Sequence, residues 1–267
     1  MLYPTELRAP AADIASPRPP EQRRPCAAAL AIIGATLLAS GASAEEVTGS
    51  LERAGPVPVL RLADGRTAAL TAVTVPTEPE FAGRAEDAAT AWLGQGVFTL
   101  AALPVGPDRH GRIRALPARG NGTLEAALVR DGLAMVAPDD VTPFEVVAAL
   151  LQAEADARAA RRGLWAADAH GPFDADRVPL AAGRFVLVEG RIVRVARTTN
   201  YWYANFGRSI RRDFTFRVPP EAERGFGAAG VDLQALEKRR VRVRGWLFED
   251  NGPMVEVTQP LAIEVLE

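Results

Sequence analysis

The sequence predicts an α+β chain, mainly β, with two β-rich parts, three helices in the first and a short helix in the second. Three observations carry this. Apolar and polar residues alternate from Val47 to Val73, and three segments of helical period follow between Glu80 and Leu164. After a stretch rich in Asp, Pro, Gly and Ala, the alternation returns from Phe185 to Leu266. A chain of 267 residues, 48% of them hydrophobic, is long enough for two such parts, each with its own core.

The N-terminal residues read as an export signal. Arg23 and Arg24 precede an apolar run from Ala27 to Leu38, and Ala42-Ser43-Ala44 offers an A-x-A cleavage site, so residues 1–44 are predicted to be a signal peptide. The run is short for a bilayer span, and an N-terminal membrane anchor is the alternative. Cleavage near Ala44 predicts a periplasmic or secreted protein with no transmembrane segment in the mature chain. The only cysteine, Cys26, would leave with the leader, which removes any disulfide framework or thiolate metal site. The only histidines are His110 and His170, so a histidine-based zinc site is not expected.

Beyond the leader, VTGSLER, VPVLRLADG and RTAALTAV form a predicted β-meander, with Asp64-Gly65 as a hairpin turn. Val75-Pro76-Thr77-Glu78-Pro79 breaks the strand, and Glu80 to Leu93 follows as a helix ended by Gly94 and Gly96. Val97 to Leu103 and Ile113 to Leu116 are predicted antiparallel partners around the turn Asp108-Arg109-His110-Gly111-Arg112. A helix from Leu124 to Leu133 is closed by Gly132. Thr142-Pro143-Phe144-Glu145 marks the start of the last helix of this part, with Thr142 as N-cap, Pro143 at the first helical position and Glu145 three residues after the cap. That helix carries Glu154 and Arg158 in the favourable i,i+4 order and ends in ARAARRGLW.

The turn D-R-H-G-R, the helix LEAALVRDGL and the arginine-rich helix ending in Gly-Leu-Trp resemble the staphylococcal-nuclease-like (thermonuclease) family. The resemblance implies an OB-fold five-stranded barrel with three helices over residues 45–165. It also implies a chemistry: a calcium ion held mainly by two aspartates, a glutamate as base and two arginines on the scissile phosphate. Arg112 stands at the second catalytic arginine. The other positions are degenerate: Pro58 and Thr74 fall where the metal-binding aspartates belong, Ala69 where the first arginine belongs and Thr77 where the base belongs. Proline and alanine side chains can neither ligate a cation nor donate to a phosphate. Glu78, one residue further on, is the candidate substitute base, with Glu80 behind it, and Asp64 and Asp108 are candidate cation ligands. Beside Asp108, Arg112 reads equally as a structural ion-pair partner. His110 reads as a turn residue and His170 as a solvated loop residue.

Residues 166–182 are predicted to be a linker. FVLVEGRIVRVAR, Tyr201 to Phe206, DFTFRV, RRVRVRGWLFED and MVEVTQPLAIEVL then give five strands with a short helix around Leu233 to Lys238, a pattern that suits a second small β-barrel of OB type over residues 183–267, or a β-sandwich fragment. The segment N-F-G-x-x-x-R-x-D-F-T from Asn205 to Thr215 also resembles the extra C-terminal domain of exported bacterial members of the nuclease family.

Charge is uneven: residues 45–183 carry 13 basic against 19 acidic side chains and residues 184–267 carry 14 against 11. Any nucleic-acid surface must therefore be a local patch. Tyr201 and Tyr203 share one strand face, with Trp202 on the other, and are candidates for stacking bases. Arg242 and Arg244 alternate with valine on a strand whose basic face is read as solvated, with phosphate contact as the other reading; Arg109 is a further candidate. Beyond Ala44 the only serines are Ser50 and Ser209, neither in a G-x-S-x-G frame, so serine or cysteine nucleophile chemistry is excluded. No glycine-rich phosphate loop is present. The sequence thus predicts an exported nuclease-like protein with a decayed active site, no cofactor and a role in binding single-stranded nucleic acid or an envelope protein. The alternative is a calcium-dependent nuclease hydrolysing DNA or RNA.

Overall fold

The computed structural model describes residues 43–266 apart from 54, 168, 169, 180, 181, 210 and 211. Residues 1–42, with Arg23, Arg24 and Cys26, lie outside the described residues, and the expected cleavage site falls at the start of the first strand. Among the described residues no helix is long and apolar enough to cross a membrane.

Strands β1 (Ser43–Val47), β2 (Gly49–Arg53), β3 (Val59–Leu62), β4 (Thr67–Ala69), β6 (Phe98–Ala102) and β7 (Ile113–Arg119) form one sheet in the order β1-β6-β7-β4-β3-β2, with β8 (Gly122–Thr123) on β7. All its pairings are antiparallel except β4 with β7. The Asp64-Gly65 hairpin forms as expected: Leu62 donates to the Arg66 carbonyl at 2.9 Å, and Gly65 takes the positive φ of 90° that its turn requires. Strand pairing does not close this sheet into a barrel. Its two end strands, β1 and β2, are instead successive in the chain and separated only by Thr48, so the sheet curls round its core in an OB-like way. Strands β5 (Val73–Thr74) and β9 (Met135–Val136) form a separate antiparallel pair.

Three helices cover this sheet: α1 (Pro79–Leu93), α2 (Leu124–Arg130) and α3 (Phe144–Ala159). The core they close contains Leu60, Leu100, Leu116, Leu128, Val146 and Leu150. The start of α3 differs from expectation. Pro143 is its N-cap, and the Thr142 hydroxyl has no hydrogen-bond partner among the described residues. No side chain caps the helix, and Asp139 instead orders the loop before it, its carboxylate accepting from the backbone N–H groups of Val141, Thr142 and, across the loop, Ala72. The end of α3 crosses the loop after α2 so closely that a Cβ on Gly132 or Gly163 would run into the other strand's backbone, and both glycines have positive φ. Leu164 donates to the Gly132 carbonyl at 2.8 Å across this crossing.

The second sheet runs β10 (Phe173–Asp174), β11 (Phe185–Arg191), β15 (Arg240–Glu249), β16 (Pro253–Glu256), β14 (Thr215–Val218), β13 (Trp202–Asn205), β12 (Arg194–Arg197), with β17 (Ile263–Val265) on β15. This sheet too is open among the described residues, so the second barrel is not closed either. Its inner face packs Val186, Val188, Phe216, Val241, Val243 and Val255 against helix α4 (Pro220–Ala228), which the sequence reading missed, through Phe226. The short helix expected near Leu233 is a single 3₁₀ turn, Gln234–Leu236. The segment read as a linker is partly structural, since β10 pairs in parallel with β11 and Ala175 is buried in the second core. A third cluster, Met135, Ala157, Leu164, Trp165 and Leu187, joins the two parts.

Glu125, in the first turn of α2, is fully buried. Burial pushes its pKa up to about 8 from an ordinary 4.5, outweighing the opposing polar groups of its own backbone, Thr123 and Thr71. The folded chain therefore holds a proton that the unfolded chain releases, and stability falls as pH rises between these two values, then levels off above the folded pKa. The expected slope is on the order of 1 kcal/mol per pH unit. Glu125→Gln should flatten it, measured as the urea midpoint from about pH 5 to 8. Equal slopes in parent and variant would assign the dependence to another group.

Candidate functional site

The turn between β6 and β7 is organised by Asp108. Its Oδ1 accepts from the N–H groups of His110 at 2.8 Å and Arg112 at 3.0 Å, and Gly111 donates to the Asp108 carbonyl at 2.8 Å. Gly111 has a φ of 75°, which its place in the turn demands. The Arg112 side chain folds back on the same carboxylate, with Nε at 2.7 Å and Nη2 at 2.6 Å from Oδ2. Burial alone would raise the Asp108 pKa, but the hydrogen bonds from Arg112 and His110 outweigh it and hold it at about 2. Arg112 lines a groove of ≈ 470 Å³ with Glu52, Arg53, Val59, Thr67 and His110. Arg109 and His110 are exposed, with Arg109 Nε 3.2 Å from His110 Nε2.

A cleft runs between the two parts. The smaller of its two cavities, ≈ 290 Å³, is lined by Thr74, Thr77, Glu78, His170, Arg184 and Trp246 among others; the larger, ≈ 560 Å³, by Val57, Thr74, Asp139, Arg217, Trp246 and Phe248. His170, expected in solvent, is 3% exposed: its ring meets Phe81 edge-on at 4.6 Å and its Nδ1 lies 3.3 Å from Arg184 Nη2. Burial lowers its pKa.

The basic face of β15 is solvated only at its start, where Arg240 is exposed, and passes into the interior at Arg242 and Arg244. Arg244 is 1% exposed and donates to Glu154 at 2.8 Å, to the Val136 carbonyl at 3.1 Å and to Glu264 at 2.5 Å. Glu154, itself fully buried, also accepts from the Val136 N–H at 2.8 Å and pairs with Arg158 at 2.9 Å. Arg242 lies between Glu189 and Glu264, at 2.6 Å from each. The expectation of Arg242 and Arg244 as phosphate contacts is thus corrected. Their strand face packs on α3 and β9, and their guanidinium groups are already held by carboxylates.

Tyr201 and Tyr203 do share the outer face of the second sheet, with ring centroids 5.8 Å apart, while Trp202 packs on the inner core. The Arg217 guanidinium lies 4.4 Å from the Tyr201 ring and 4.7 Å from that of Phe248, and is tied to Asp250 and Glu256. Beside them a groove of ≈ 720 Å³ is lined by Tyr203, Arg194, Asn205, Arg208, Asn251 and Met254.

Residues 61–167 match the family model of staphylococcal nuclease homologues. These residues form a staphylococcal-nuclease-like domain. No curated protein matches the chain.

Within the nuclease-like domain the family's positions are divided between two places. Ala69, 3% exposed, pairs with Val59 and Arg114 on the Arg112 side, whereas Thr74, also 3% exposed, faces the cleft with a hydroxyl that has no partner among the described residues. Pro58 is buried and Thr77 exposed. Glu78 precedes α1 without capping it, 3.7 Å from Arg184, and lines a different cavity from Arg112. The structure therefore does not bring Glu78 and Arg112 together. Asp64 and Asp108, the candidate cation ligands, are both paired with arginines, Arg66 and Arg112. Among the described residues no group of three or more His, Cys, Asp or Glu side chains is placed to hold a metal ion.

Removing Arg244 leaves Glu154 buried without its main counter-charge. Arg244→Ala is expected to destabilise the protein by about 3–5 kcal/mol in urea unfolding, the scale for breaking one side of a buried pair. A loss under about 1 kcal/mol, as for an exposed pair, would show that the anchor is weak.

Proposed function

We propose that the protein binds single-stranded nucleic acid on the outer face of its C-terminal sheet and that its nuclease site has decayed. The observation that carries this is the Tyr201–Tyr203 pair beside a groove that also contains Arg194 and Arg208. Stacking on aromatic faces next to cationic side chains is how such strands are held without reading sequence. The replaced family positions support loss of cleavage. Three carboxylates and an arginine that act as a unit in the family are replaced, and removing any one group of such a unit already destroys most of the rate. Arg112 then serves the turn through Asp108. With residues 1–44 as a signal peptide, binding takes place in the periplasm or outside the cell.

The test follows a labelled single-stranded DNA by anisotropy and by gel, with calcium and with chelator. The expected result is binding that weakens steeply with salt, no calcium-dependent cleavage, and a loss of about 5- to 150-fold in affinity for Tyr203→Ala. Calcium-dependent cleavage abolished by Arg112→Ala would establish the nuclease instead. Absence of both binding and cleavage would turn attention to an envelope protein as partner.

A further inference from the structure

The cleft between the two parts is separate from the Tyr203 groove and carries its own chemistry. Its two cavities meet at Thr74, Phe185 and Trp246. Trp246 lies in the middle of β15 yet is 43% exposed, and the edge of Phe185 fixes its ring at 5.4 Å. An indole held rigid in a concave site offers a flat apolar face to a planar ring. The opposite wall of the smaller cavity is polar. Glu78 presents a carboxylate whose side chain is 45% exposed, beside Arg184 at 3.7 Å. Arg184 donates to His170 Nδ1, so that imidazole is neutral with its proton on Nε2.

We propose that this cleft is a nucleobase pocket in which the base stacks on Trp246 and its exocyclic amino group donates to Glu78. An ionised carboxylate only accepts hydrogen bonds. Adenine, cytosine and guanine each bring an exocyclic amine donor to it, whereas uracil and thymine have carbonyl oxygens at the matching positions and only a ring N3–H to donate, so they fit it less well. Leaving a carboxylate unmatched in a partly dry site is what makes such a choice selective. The ligand is a free nucleotide or the last nucleotide of a strand. The inference rests on the reading of the protein as a nucleic-acid binder, and it names a site that does not use Tyr201 or Tyr203.

Calorimetry with AMP and UMP on the intact protein tests the free nucleotide. AMP is expected to bind at least about tenfold more tightly than UMP, Trp246→Ala to weaken AMP about tenfold or more, and Glu78→Ala to bring AMP and UMP level. Circular dichroism confirms that each variant is folded. For the strand end, the same variants meet an oligothymidylate with and without a 3′-terminal adenine. A gain from the adenine that Trp246→Ala removes supports the pocket at a strand end. The proposal is overturned by equal AMP and UMP affinities in the parent, or by Trp246→Ala changing neither nucleotide binding nor the adenine gain. If in that case Tyr203→Ala still weakens the oligothymidylate, the outer-face reading stands while the pocket falls.

Discussion

The arrangement of the molecule depends on one buried guanidinium. Arg244 reaches from β15 of the second sheet to Glu154 on α3 and to the carbonyl of Val136 on β9, and so ties the C-terminal sheet to the nuclease-like domain. Burying a guanidinium and a carboxylate costs several kcal/mol of hydration per ion, returned only when geometry is good and the remaining hydrogen bonds are made. Here the two ends of the fork are met from several sides, while Nε of Arg244 is buried without a partner among the described residues. Glu154 receives the Val136 N–H and Arg158 as well as Arg244, and Glu264 takes the other end of the Arg244 fork. An apolar patch alone would tolerate sliding; a planar fork held by two carboxylates and a carbonyl does not. The Met135, Leu164, Trp165 and Leu187 cluster beside it supplies the area, while the arginine fixes the register.

That register decides what the cleft contains. On β15 the residues sharing the Arg244 face are Arg242, Trp246 and Phe248, so docking Arg244 places Trp246 and Phe248 opposite Thr74 and the loop at Asp139. Further across the same sheet face come Arg217, which still lines the edge of the cleft, and then Tyr201 and Tyr203. One sheet face thus serves two purposes by distance from the anchor: near it the arginines are consumed in ion pairs, and far from it the aromatic rings remain open.

Much of this was legible in the sequence because it is local. The Asp64-Gly65 hairpin, the D-R-H-G-R turn and the Glu154–Arg158 pair each involve residues a few positions apart, where turn geometry and helical spacing act directly. Gly132 closes its helix as expected, but the deeper reason for Gly132 and Gly163, a backbone crossing between distant segments, needs the fold, and α3 is ended by Arg161 in the left-handed conformation. The misreadings are long-range. Lys238 to Arg244 alternates like a solvated strand, and nothing in it announces a carboxylate 90 positions earlier. His170 sits in a segment whose composition says loop, yet Phe81 and Arg184 enclose it. Thr142 has the sequence signature of a helix cap, but the helix begins one residue later, with Pro143 as its N-cap, while Asp139 orders the preceding loop.

The degenerate site fits the same logic. The family resemblance sets Thr74 where a metal-binding aspartate is expected, and Thr74 is buried against a cleft whose lining includes Phe185, Trp246 and Phe248. An aspartate there, without a metal ion to balance it, would bring a charge to a position only 3% exposed, and such a charge is costly unless matched. Threonine has nearly the same size and carries no charge. Ala69 and Pro58 remove the remaining charge and ligand capacity on the same β3–β4 edge, while Asp108 and Arg112, which neutralise each other within one turn, persist. On the proposed reading, the docked sheet made an anionic cation site expensive to keep and an aromatic cleft cheap to form. The residues that remain from the family are those whose charges are satisfied within the turn itself.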